Sequence, residues 1–194
     1  MTPLAPWRQV LARSLHRNRA LIYARYFQLA TVRADGRPAN RTVVFRGFLP
    51  ESNQIAIITD RRSQKIEQIE QNAEAEICWY FPKTREQFRL AGTLYIVDAG
   101  HLNERWQRAY HEIWHKLSEA ARAQFYGIAP GQPLAPERIE TESKSALDSI
   151  PESFRLLVFE PKDLDYLDLK THPHDHRHHW LDEAEEWQAE SLTP

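Results

Sequence analysis

The chain is short of most of what simple function classes require. It has one cysteine, Cys78, so no intramolecular disulfide framework can form. Cys78 lies in an apolar run and reads as a small core side chain. No helix start or cationic neighbour marks it as a nucleophile. No apolar stretch approaches the roughly 20 residues of a membrane span, so no membrane partner is expected. No apolar run precedes a cleavage site near the start, so a secretory leader is not expected; the expected compartment is cytoplasmic. Lys and Arg number 25 against 27 Asp and Glu, a net charge of −2, which lacks the basic excess that nonspecific nucleic-acid binding needs. GxSxG, P-loop, HExxH and GxGxxG motifs are all missing.

What is present is aromatic. Six Trp, seven Tyr and eight Phe can fill a core, line an oligomer interface or grip a planar ring. The length of 194 residues suits one domain with a substantial core.

Apolar periodicity predicts a helix over 6–25, with Trp7, Val10, Leu11, Leu15 and Ile22 on one face. The period then shortens. Residues 27–33 and 39–47 alternate around Asp35-Gly36 and predict a β-hairpin. A β-branched strand follows at 55–60, then a short helix at 63–72 with Ser63 as N-cap and Ile66 and Ile69 inward. Strands are predicted at 75–81 and 87–98, then a long helix over about 101–126. Residues 137–150 are polar and carry one helical turn at most. The stretch 154–170 reads as two strands broken at Pro161, followed by a histidine-rich run and a short acidic segment. Many short strands and few helices predict an α+β, mainly β chain: a small closed barrel with peripheral helices, in one domain over 1–194 whose core is 27–98.

Four places could carry chemistry. Arg41 and Arg46 sit five residues apart on one strand, so a period of two sends them to opposite faces. One could then address a phosphate while the other addresses a ring or substrate; two solvated strand arginines fit as well. Around Thr59, Ser63, Gln64 and Lys65 a strand ends and a helix begins among cations, which suits an anion or an ordinary solvated helix start. Gln87 opens a strand, where its amide could pair with the donor–acceptor edge of a flavin or simply face solvent. His172, His174, His176, His178 and His179 form a tract with adventitious metal affinity. No thiol or carboxylate constellation completes a specific site, so no metal is expected.

Taken jointly, Gly36, Pro38, Arg41, Val43 and Arg46, then Thr59, Ser63 and Lys65, then Gln87 and Gly92, keep a common spacing. In that order and at those intervals the segment 36–92 resembles the pyridoxamine 5′-phosphate oxidase family of FMN-binding split barrels. Trp187, Leu192 and Pro194 are similar to the family's C-terminal ending. The resemblance implies FMN as cofactor and a homodimer with FMN at its interface. It implies that Arg41, Thr42, Val43, Val44, Phe45, Arg46, Ile58 and Thr59 line the flavin. Ser63, Gln64 and Lys65 stand where the family holds the phosphate, and Gln87 where it contacts flavin across the dimer. Gln64 replaces a family arginine, for which Arg62 is the expected substitute. On the substrate side the resemblance points to Arg46, Tyr110, Ser118 and His174. Trp114 occupies a family arginine position, and neither arginine of the C-terminal signature keeps its place. The implied activity is a flavin-dependent oxidoreductase acting on a small molecule, with loss of the usual phosphate grip. The alternatives are a non-catalytic flavin carrier, or a haem-binding split barrel using the terminal histidines.

Overall fold

In a computed structural model, which describes residues 4–132 and 149–193, nine strands form one antiparallel sheet that curls on itself. Strand β1 (Tyr26–Val32) pairs with β2 (Pro38–Val44), and β1 also pairs with β5 (Glu74–Phe81). The sheet continues through β6 (Glu86–Val97) and β7 (Phe154–Asp168) to β4 (Ile55–Asp60) and β3 (Gly47–Phe48). The chain leaving β2 runs directly into β3 on β4, and the Arg46 amide donates to Ala56 O at 2.9 Å. That step closes the barrel, so the expected mainly β split-barrel class is what forms.

Inside, Phe27, Leu29, Ile77, Trp79, Phe81 and Phe88 are fully buried and alternate with outward residues, as a one-sided sheet requires. Trp79 anchors three rings and satisfies its indole N–H on Ala24 O at 2.9 Å. A second core lies outside the barrel, where α3 (Glu104–His115) and α4 (Glu119–Ala123) cover Phe154, Leu156 and Val158. Helix α2 (Gln64–Gln71) packs Ile66 and Ile69 against the barrel.

Several sequence expectations change. The helix expected over 6–25 is α1 (Pro6–Arg17) followed by a 3-10 turn at Ile22–Arg25. Asn18 ends it: its side chain donates to Ser14 O and accepts from the Lys83 amide at 3.1 Å, a local bond that competes with another helical turn. The helix expected over 101–126 breaks between α3 and α4, where Ser118 caps the second piece. Pro161 does not break 154–170 into two strands. Gly92 pairs with Pro161 and Ala91 with Asp163, so the bulge leaves Lys162 as the extra residue and β7 runs through. A Cβ on Gly92 would lie 2.1 Å from Glu160 O, so the close approach needs glycine.

Of the histidine run, His172 and His174 lie in the turn after β7, while His176, His178 and His179 belong to β8 (Asp175–Leu181), which pairs with β7 and with β9 (Trp187–Leu192). Its polar alternation hid a strand whose outward face is charged. Cys78 is also corrected: it is half-buried on the outer face of β5, between Gln28 and Arg89, and burial pushes its thiol upward. The polar stretch at 137–148 and Pro194 lie outside the described residues.

Candidate functional site

One cluster gathers where β1, β2, β4 and the start of α2 meet. Arg41 faces the same side of the sheet as Leu29, its cross-strand partner. Its guanidinium donates to Leu29 O at 3.1 Å, Thr31 Oγ1 at 2.6 Å and Gln68 Oε1 at 2.9 Å. Thr31 in turn donates to Gln68 at 2.6 Å, which closes a triangle that holds the guanidinium still.

Lys65, in the first turn of α2, donates to Thr59 Oγ1 at 2.9 Å and Ser63 Oγ at 2.7 Å. Ser63 is the N-cap by position, but its hydroxyl serves Lys65 and makes no capping bond. Burial, then the neighbouring Arg41, pushes the Lys65 ammonium down to about 8. Burial, then Arg33, also lowers Arg41. Two partly desolvated cations therefore lie close together, and neither has an ion-pair partner among the described residues.

Of the other cations, Arg33 lies close enough to act on Arg41 but is exposed, and Arg62 is already engaged. Arg62 grips Asp60 with two bonds, at 2.9 and 2.7 Å, and also donates to Gly127 O. The guanidinium expected as the spare phosphate cation is thus engaged by Asp60 in this structure. Gln64 is exposed on α2.

Arg46 lies beyond the end of β2, in a separate cleft of about 450 Å³ lined by Arg25, Tyr26, Val44, Ile113 and Lys116. Its Nε is buried without a partner, and burial followed by Arg25 lowers its affinity for protons. No carboxylate lines this cleft; Lys116 pairs with Glu112 at 3.3 Å beside it. Arg25 and Lys116 had no sequence signal, because they come from a 3-10 turn and a helix C-cap far apart in the chain. Gln68 had one: it sits three residues after Lys65, on the same helix face.

Residues 42–45 split by face. Thr42 and Val44 are on the outer face, while Val43 and Phe45 turn toward the core. Phe45 packs on Phe48 and Trp79, so only its backbone faces the chain edge, where Arg25 donates to its carbonyl at 3.1 Å. Ile58 is partly buried against the outer core and precedes Thr59 on β4. Gln87 is half-buried on the outer face between Tyr80 and Leu167, three strands from Arg41 and on the opposite side of the sheet.

The expected substrate residues are not brought together. Tyr110 is 1% exposed and packs on Phe154 beside Trp114, so it is a core residue. Tyr110 and Trp114 share the buried stripe of α3; Ile113, one step around, reaches the Arg46 cleft instead. Ser118 is an N-cap. His174 belongs to the β7–β8 turn, its Nδ1 at 2.9 Å from Thr171 O.

The terminal histidines are tied into the sheet. His176 Nε2 meets Asp165 at 2.8 Å and His178 Nε2 meets Asp163 at 2.6 Å. His179 is buried under α1. Among the described residues no group of three metal-ligating side chains forms.

Residues 4–98 match the family model described as the FMN-binding domain of pyridoxamine 5′-phosphate oxidase. The chain is 40% identical over 172 residues to pyridoxine/pyridoxamine 5′-phosphate oxidase 2 of Arabidopsis thaliana, covering 88% of this chain and 86% of the plant protein. It is similar to a solved pyridoxamine 5′-phosphate oxidase-related, FMN-binding protein from Nostoc punctiforme, with 45% identity, a TM-score of 0.90 and full coverage of both chains. PhzG of Burkholderia lata shares the fold at 16% identity, with a TM-score of 0.75 over 97% of this chain and 96% of its own.

Proposed function

We propose that this chain, which belongs to the pyridoxamine 5′-phosphate oxidase family of FMN-binding proteins, is a flavin-dependent oxidoreductase acting on a small anionic molecule. The observation that carries the reading is the placement of two separate cation sets. Arg41 and Lys65 form one, Arg25, Arg46 and Lys116 the other, and β2 runs between them.

FMN is the cofactor of the family, and the residues present fit it. The first cation set has the donor chemistry of a phosphate seat: a fixed guanidinium, an ammonium and two hydroxyls at a helix start. Burial has already stripped water from both cations, so a phosphate there replaces lost solvation and compensates the repulsion between them. When bound, FMN supplies a ring that accepts or gives a hydride.

The second set then acts on substrate. Arg46 presents a guanidinium whose Nε lacks a partner, and Arg25 and Lys116 add charge around an apolar wall of Ile22 and Ile113. Those features suit a small ring or chain carrying a phosphate or carboxylate. The cations orient it, and the apolar wall excludes water. This grip replaces the family arginine at Trp114, which is buried among Phe125 and Phe154.

Gln87 lies on the wrong face to reach the first cation set of its own chain. A homodimer, in which each copy offers Gln87 to the other's flavin, accounts for its position. Exposed Tyr26 and Tyr80 on the same outer face favour that pairing.

The reading is tested with FMN-loaded protein under anaerobic conditions. Flavin bleaching is followed with phosphorylated and carboxylated small amines and alcohols, and with their uncharged counterparts. Bleaching by the charged members, lost in Arg46→Ala with flavin retained, is the expected result. Failure of every charged compound to reduce a bound flavin favours a non-catalytic carrier.

A further inference from the structure

A second cavity, of about 250 Å³, lies between α1 and the inner surface of β6, β7 and β8, away from both cation sets. Its two walls differ in charge. The helix wall carries Arg13 and Arg17, one turn apart and exposed; among the described residues neither makes an ion pair or hydrogen bond. The sheet wall carries Glu86 and Asp168. Glu86 is 6% exposed, and its two oxygens accept only from neutral hydroxyls, Ser14 at 2.7 Å and Tyr166 at 3.0 Å. Asp168 accepts from the Lys170 amide at 2.7 Å and has no cation partner. Arg177 and Asp175 also line the cavity, but they neutralise each other at 2.7 Å.

His179 completes it. The residue is 6% exposed, and its Nδ1 is buried without a partner. Burial, then Arg177 and His178, lowers its affinity for protons, so the ring is neutral near pH 7. A neutral imidazole can donate one hydrogen bond and accept another. The ring lines the cavity, and an unpartnered buried ring nitrogen beside it is an unfavourable arrangement.

We propose that this cavity binds a small zwitterion, a molecule with an ammonium at one end and a phosphate or carboxylate at the other. The anionic end sits against Arg13 and Arg17, the ammonium against Asp168 and Glu86, and His179 supplies a neutral hydrogen bond between them. The match is one of dipole to dipole: a simple anion would meet two carboxylates, and a simple cation two guanidiniums.

O-phosphoethanolamine is the probe, titrated calorimetrically into the full-length FMN-loaded protein. Inorganic phosphate and ethanolamine, each carrying one of its two charges, are the controls. Saturable one-site binding is expected for the zwitterion, at least tenfold tighter than for either control. The Arg13→Gln/Arg17→Gln double variant and Asp168→Asn should each weaken it at least tenfold with flavin absorbance unchanged. The His179 ring nitrogen resonances should shift on titration in the parent protein. No binding overturns the proposal, as does equal binding of phosphate alone, or zwitterion binding that survives both sets of substitutions. Because flavin occupancy is read in the same samples, failure here is separable from failure of the oxidoreductase assignment.

Discussion

Lys65 donates to Thr59 and Ser63, and its protonation is suppressed by burial and then by the Arg41 guanidinium, which Thr31 and Gln68 hold beside it. The two cations are thus electrostatically coupled, each disfavouring the charge of the other.

A pH dependence of flavin binding follows. Below about 8 the Lys65 ammonium is already charged, and FMN binding takes up no proton there. Above it, binding a phosphate must recharge the amine, so affinity falls by up to about tenfold per pH unit. FMN titrations from pH 6.5 to 9.5 should be flat, then decline. Lys65→Met should remove the decline, and a decline that persists in that variant would exclude Lys65 as its source.

Truncation of either cation should loosen the cofactor. Arg41→Ala and Lys65→Ala are each expected to weaken FMN by about 2–3 kcal/mol, roughly 30- to 150-fold in Kd. Fluorescence quenching of free FMN reports it. Equal affinity in both variants and the parent would move the phosphate elsewhere.

The second cation set should affect substrate and not flavin. Arg25→Ala, Arg46→Ala and Lys116→Ala should raise KM for an anionic substrate, with Arg46→Ala largest because its guanidinium is the buried one. Flavin content should stay constant. A change confined to kcat, with KM untouched, would argue that these cations do not bind ground-state substrate.

The C-terminal hairpin should hold best in mild acid. The hydrogen bond to Asp165 raises His176; burial works against His178, but Asp163 and Glu190 outweigh it and raise that ring too. Raised values mean stabilisation fully present below the unfolded value of about 6.5, and lost as pH climbs through the folded values. His179, lowered, acts in the opposite sense. Amide exchange over β8 and β9, corrected for intrinsic rates, should show protection falling as pH rises above about 6.5. Asp163→Asn with Asp165→Asn should flatten that response, and a parent protein with no such fall would contradict the pairing.

Gly92→Ala should be costly. Its added methyl meets the Glu160 carbonyl and Pro161 Cα, both backbone, so no flexible side chain can give way. The destabilisation should reach the upper part of the roughly 1–3 kcal/mol range for overpacking, visible as a lowered Tm. A neutral effect would mean that the β6–β7 bulge relaxes freely.

Legibility in the sequence tracked how local each feature is. Strand 55–60 was readable to the residue, and the helix beginning after Ser63 nearly so, because their signals lie within a few neighbours. Arg41, Thr59, Ser63 and Lys65 could be picked out together because one strand–helix unit and one hairpin deliver them. Arg25 and Lys116 could not, since only tertiary folding brings a 3-10 turn beside a helix C-cap. Tyr110 was a substrate candidate only through the resemblance; a linear motif fixes spacing, but the buried stripe of the helix decides which members face inward. Strand β8 was hidden because its own residues are nearly all polar; His176 and His178 are held by Asp165 and Asp163 of β7, an electrostatic pattern that hydropathy alternation does not report.

Strand β7 pairs on one flank with β4 through Phe154–Asp60 to Phe159–Ile55, then with β8 from Asp163 onward, so a single strand serves two neighbours in succession. Were the last twenty residues clipped, the second of those borders would be laid bare to other molecules. It carries Asp163, Asp165 and Asp168. Like-charged rims repel each other, so the shortened protein would resist fibril-like stacking that a naked ladder normally invites.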